Sequence, residues 1–177
     1  MTQRILFSLL LPLCLLLTGC PVVKKTAPDV PDGFTKYENE NFSLVYPEEW
    51  AKQDGSMILF IDQDQTITKD FAVNVNVLFE AVPSGVGMDD YLDASIDGLD
   101  LMLNNPSILD RESREAANSK GRLLTYTHRV NPYTVWTYQY FTIKDGKGWI
   151  LTGTAKSGEE QAAVDIFDTI IDSFYLK

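Results

Sequence analysis

"NSKGRLLTYTHRVNPYTVWTYQYFTIKDGKGWILTGTAK", residues 118–156, decides the fold. Three clusters rich in Asn, Gly, Asp and Pro punctuate it: "NSKG" (118–121), "NPY" (131–133) and "KDGKG" (144–148). Each residue type supplies turn geometry: glycine reaches positive φ, proline presets φ, and Asn and Asp bond back to their own backbone. The segments that these turns separate predict strands near 107–116, 122–130, 134–143 and 149–156. Connections this short cannot carry the chain back across a sheet for parallel pairing. The four strands therefore form an antiparallel meander.

Upstream, "FAVNVNVLFE" (71–80) alternates strictly. Phe71, Val73, Val75, Val77 and Phe79 share one face, with Asn74, Asn76 and Glu80 opposite. A period of two marks a half-buried strand. "MILFI" (57–61) and "FSLVY" (42–46, ended by Pro47) predict two more strands, and residues 81–87, with Pro83, Gly85 and Gly87, predict a loop. At "MDDYLDASIDGLDLML" (88–103) the period changes to that of a helix, with Met88, Tyr91, Leu92, Ile96, Leu99, Met102 and Leu103 in one stripe. Gly98 weakens this helix and Pro106 is expected to end it. After the meander, "SGEEQAAVDIFDTIIDSFYL" (157–176) predicts a second helix. Ser157 and Glu160 stand at capping-box spacing, and Val164, Phe167, Ile171 and Phe174 with Ala163, Ile166 and Ile170 form its buried side. About seven strands and two helices, with the meander between the helices, give an α+β class and a two-layer sandwich.

The other end of the chain speaks to location. "MTQRILFSLLLPLCLLLTGC" (1–20) has one positive charge, Arg4, then an apolar run from Ile5 to Leu17. That run is short for a membrane span and suits a signal-peptide core. Leu17-Thr18-Gly19-Cys20 resembles the bacterial lipobox, in which the cysteine is acylated and the signal is cut just before it. The expected organisation is a signal over 1–19, a lipidated Cys20 with a proline-containing tether to residue 36, and one domain over 37–177. Cutting nineteen residues from 177 leaves 158, enough for one core. Cys14 leaves with the signal and Cys20 is acylated, so no disulfide forms and the fold rests on its core. With Arg4 gone, 14 basic residues face 25 acidic ones. Such acidity excludes nucleic acid as a partner and excludes a polybasic hold on anionic lipid. Membrane attachment is expected through the lipid on Cys20, facing outside the cytoplasm in the cell envelope.

The opening of the domain, "YENENFSLVYPEEW" (37–50), resembles the PsbP-like family, which includes many small bacterial lipoproteins, the DcrB group among them. Phe42, Tyr46, Pro47 and Trp50 carry the likeness, with "IIDSF" (170–174) and one helix on each side of the meander. The resemblance implies a compact α+β domain acting as an accessory or assembly factor for a protein partner. It supplies no catalytic residue, cofactor or metal site to carry over.

His128 is the single histidine, on a predicted strand in phase with Leu124, Tyr126 and Val130. Without a Gly-x-Ser-x-Gly turn to present a nucleophile, it reads as a half-buried structural residue and the chain as no enzyme. "DQDQTITKD" (62–70) places Asp62, Asp64 and Thr66 like an EF-hand loop, but Ile67 stands where glycine is needed and Val73 where a bidentate glutamate is needed. Asp89, Asp93, Asp97 and Asp100 recur on one face of the first helix. They form either a solvated face, the reading adopted, or a site for a cation or basic partner. Trp136, Tyr138 and Tyr140 alternate with Val135, Phe141 and Ile143. The aromatic side is core if a helix covers it and a docking strip if none does.

Overall fold

A computed structural model of the protein describes residues 28–177 except Lys69. The signal, Cys20 and the tether up to residue 27 lie outside the described residues. Ten strands and two helices follow in the order β1 (Phe34–Glu38), β2 (Phe42–Pro47), β3 (Ala51–Asp54), β4 (Ile58–Ile61), β5 (Asn74–Ala81), α1 (Met88–Met102), β6 (Asn104–Glu115), β7 (Lys120–Val130), β8 (Tyr133–Lys144), β9 (Lys147–Lys156), α2 (Glu160–Ser173) and β10 (Tyr175–Leu176). The α+β expectation holds, and the four-strand meander is present as β6 to β9, every pair antiparallel. A seven-stranded sheet runs β3-β4-β5-β9-β8-β7-β6, and a small sheet runs β1-β2-β10. The sequence count of about seven strands missed β1, β3 and β10.

The two helices pack on opposite faces of the large sheet. Alternation along β8 shows why. Trp136, Tyr138 and Tyr140 join Phe167, Ile170 and Ile171 of α2 in one core, whereas Phe141 on the other face joins Tyr91, Leu92 and Leu99 of α1. The α2 core is the larger and also takes in Phe42 and Leu44 of β2, so the small sheet shares that layer. Burying each such large apolar side chain contributes ~1.5–3 kcal/mol. Gly153 lets the α2 layer close, since a Cβ there would sit 2.7 Å from the Phe167 ring.

The elements identified by the resemblance are structural. Phe42 and Trp50 are buried, Tyr46 packs on Phe60 with ring centroids 4.5 Å apart, and Phe42 meets Phe174 at 5.4 Å. β10 adds only two residues to β2, at Ser43 and Phe42. Just beyond it the Val45 N–H donates to the Ser173 hydroxyl at 2.9 Å, so the end of α2 satisfies the strand where β10 does not reach.

Two local expectations are corrected. α2 starts at Glu160 with Glu159 as its N-cap and no side-chain cap. Gly158, at φ +94, turns the chain so that both its N–H (2.9 Å) and the Ser157 hydroxyl (3.3 Å) donate to the Glu160 carboxylate. Ser157 is therefore not free to cap the helix. Pro106 does not end α1 either. The helix stops at Met102, Leu103 is already extended, and Pro106 falls inside β6. An edge strand tolerates proline because its outer N–H groups have no partner to lose.

Candidate functional site

The face of the sheet that carries α1 is only half covered, and the uncovered half is where a site can form. α1 lies toward the β6 and β7 side. Arg111 of β6 reaches Asp93 at 2.9 Å and Arg122 of β7 reaches Asp89 at 2.8 Å. Two of the four acidic residues singled out from sequence thus answer arginines of the domain's own sheet. Asp97 and Asp100 remain exposed on the same helix. Among the described residues, no three His, Cys, Asp or Glu side chains converge as a metal site would require.

The aromatic strip is closed. Phe167 stacks over Trp136 and Tyr138 with centroids at 6.0 and 6.1 Å, and Tyr140 is fully buried. The Tyr138 hydroxyl donates to Asp168 at 2.7 Å, and Arg114 of β6 bonds Asp168 and Asp172 at 3.0 and 2.7 Å. This chain of contacts ties α2 to the edge strand. It leaves the strip Trp136-Tyr138-Tyr140 no face for a partner. Burial, and then the bond to Asp168, hold the Tyr138 hydroxyl well above the ordinary tyrosine pKa.

On the open flank of α1, over β5, β9 and β8, lies a groove of about 430 Å³. Sequence reasoning missed it. Leu78, Phe141 and Ile150 make its floor, and Ala94, Ser95, Gly98, Leu99 and Met102 make its helical wall. One end is closed by Tyr91, whose ring lies over Gly148. A Cβ on Gly148 would stand 2.4 Å from the Tyr91 hydroxyl oxygen. That hydroxyl donates to Glu80 at 2.7 Å. Burial and the Glu80 carboxylate together raise the Tyr91 pKa well above the ordinary value. At the other end Gln139 donates to the Thr152 hydroxyl at 2.9 Å. The groove combines an apolar body with neutral hydrogen-bonding groups at one end and a carboxylate at the other, which suits binding.

His128 stands on the same face of the sheet, half-buried, with the Thr137 hydroxyl at 3.5 Å and the Tyr126 ring at 5.8 Å between centroids. Desolvation holds it below the usual imidazole pKa. Asp62, the first position of the apparent calcium loop, is buried. It accepts bonds from the Ile67 N–H at 2.9 Å and the Thr66 hydroxyl at 3.1 Å, so its carboxylate organises its own turn.

The fold has known relatives. CyanoP, the cyanobacterial PsbP of Synechocystis, superposes with a TM-score of 0.62 at 18% identity, covering 91% of this chain and 99% of that one. The Ran-binding protein Mog1p of Saccharomyces cerevisiae gives 0.61 at 6% identity, covering 81% and 95%. LpqN of Mycobacterium tuberculosis, described as involved in cell envelope biogenesis, gives 0.57 at 12%, covering 81% and 91%. At such identities the likeness is one of fold. No curated protein matches the chain. The DcrB family profile matches residues 42–173, from β2 to the end of α2. With three quarters of its length matched and the PsbP-like architecture in place, the chain belongs to the DcrB family.

Proposed function

We propose that this DcrB-family chain is a lipoprotein of the bacterial cell envelope, held at a membrane by acyl chains on Cys20 and facing outside the cytoplasm. Its domain works by binding, as an accessory or assembly factor for an envelope protein or complex, and not by catalysis. The observation that carries this reading is the order of parts. Leu17-Thr18-Gly19-Cys20 ends an apolar leader, a short tether with three prolines follows, and a DcrB domain begins at once. Two or three acyl chains hold firmly where one does not, so the anchor needs no basic patch, and the acidic domain offers none. Among the described residues no helix is long and apolar enough to cross a membrane. The envelope role of LpqN, a protein of similar fold, supports the location. His128 has Thr137 as its polar neighbour and, among the described residues, no carboxylate bonded to it to orient it as a base, which supports the non-catalytic reading.

A second reading, a small-ligand-binding lipoprotein, is favoured by the groove beside α1. Both share the anchor. Cys20→Ser should leave the leader uncut and the chain without acyl mass, read by intact mass of the membrane-extracted protein. A variant that is still cut before residue 20 and still carries acyl mass overturns the anchor.

A further inference from the structure

We propose that the groove along the open flank of α1 binds a single-tailed amphiphile whose head carries an ammonium group, with the tail on Leu78, Phe141 and Ile150 and the head at Glu80. This goes beyond the accessory role and stands whether or not Cys20 is acylated.

Three observations converge. The first is size. A volume of about 430 Å³ holds on the order of a dozen water-sized units at about 30 Å³ each, room for one slender chain and not two. The second is Gly98. A glycine in mid-helix weakens the helix, so a reason is owed. The fold supplies none: the backbone there is ordinary helix, and an added Cβ would meet only the Met102 methyl, at 3.6 Å. What the missing side chain leaves open is the groove wall. Met102 itself, 74% exposed although the helical stripe assigned it to the core, stands at the mouth as a flexible apolar flap.

The third observation is charge. Glu80 closes the Tyr91 end. Tyr91 occupies one of its oxygens, and among the described residues it has no cationic partner. The chain as a whole carries a net charge of −10. A fatty-acid carboxylate would meet repulsion at that end and from the whole domain, whereas an ammonium head is attracted by both. The far end, at Gln139 and Thr152, is neutral, and its groups already bond each other.

The test is calorimetric titration of the full chain with dodecylamine and with dodecanoate, both below their micelle thresholds. Gly98→Leu, Gly98→Ala and Glu80→Gln are compared with wild type, and circular dichroism checks each fold. Dodecylamine should bind saturably, one per chain, and about tenfold or more tighter than dodecanoate. Gly98→Leu should abolish that site and Gly98→Ala should keep it. Glu80→Gln should weaken it by about two- to fivefold, the range of an exposed ion pair. Binding equal in wild type and Gly98→Leu, or none in either, overturns the groove as the site. Equal affinity for the two head groups overturns the ammonium assignment. Leader or anchor defects leave all three variants alike, so failure of the anchor reading is distinguishable.

Discussion

At the scale of single residues, the account rests on places where one atom more would not fit. Gly153 faces the Phe167 ring, so Gly153→Val should cost ~1–3 kcal/mol by overpacking, read as a lower urea midpoint. His128 gives a pH dependence with a definite sign. Burial lowers its folded pKa, so the unfolded chain takes up a proton first as pH falls below about 6.5. The stability it contributes is present above that pH and is lost as pH drops through the folded value. In urea melts at pH 7.5 and 5.0, His128→Gln should lose less stability on acidification than wild type. An identical loss would show that His128 is as well solvated folded as unfolded. The sequence placed His128 correctly in phase with Leu124 and Tyr126, because alternation on a strand is local. Neither Gly153 nor Gly148 could be read as a close approach, because the rings that fill their space come from helices elsewhere in the chain.

At the scale of elements, periodicity found what is long and amphipathic and passed over what is short and polar. Both helices and all four meander strands were legible. β1, "FTKYE", was split by the tether boundary set at residue 36 because its apolar content is low, and β3, "AKQD", has no apolar face of its own. β10 continues the α2 pattern and is turned into a strand only by the edge of β2. The buried side of α2 was read correctly. Phe167→Ala or Ile171→Ala should cost ~2–5 kcal/mol in denaturant melts, and a change below ~0.5 kcal/mol in both would contradict the packing. The acidic face of α1 was read as a solvated stripe, and the structure gives half of it arginine partners. Asp93→Asn with Asp97→Asn loses one exposed pair but also relieves three like-charge contacts, Asp89/Asp93, Asp93/Asp97 and Asp97/Asp100, so the net effect should stay within ~1 kcal/mol. A larger loss would mean that the Asp93–Arg111 contact seats the helix.

At the scale of the molecule, the sheet has one face closed and one half open. The α2 layer and the small sheet complete the larger core, and their aromatic strip is sealed. On the other face α1 lies toward β6 and β7, where Asp89 and Asp93 meet Arg122 and Arg111, and this offset exposes the groove over β5, β9 and β8. The offset was illegible in the sequence, since the alternation of β8 tells which residues share a face but not how far along the sheet a helix will sit. The proposed leader rests on a linear pattern alone: one charge, an apolar run, then Leu-Thr-Gly-Cys. The central claim, a binding domain tethered to a membrane through one cysteine, is tested most directly by the intact mass of the mature protein extracted from membranes. The account predicts a chain beginning at Cys20 and carrying two or three acyl groups. A mature chain that retains Met1, or that begins elsewhere with no acyl mass, would contradict it.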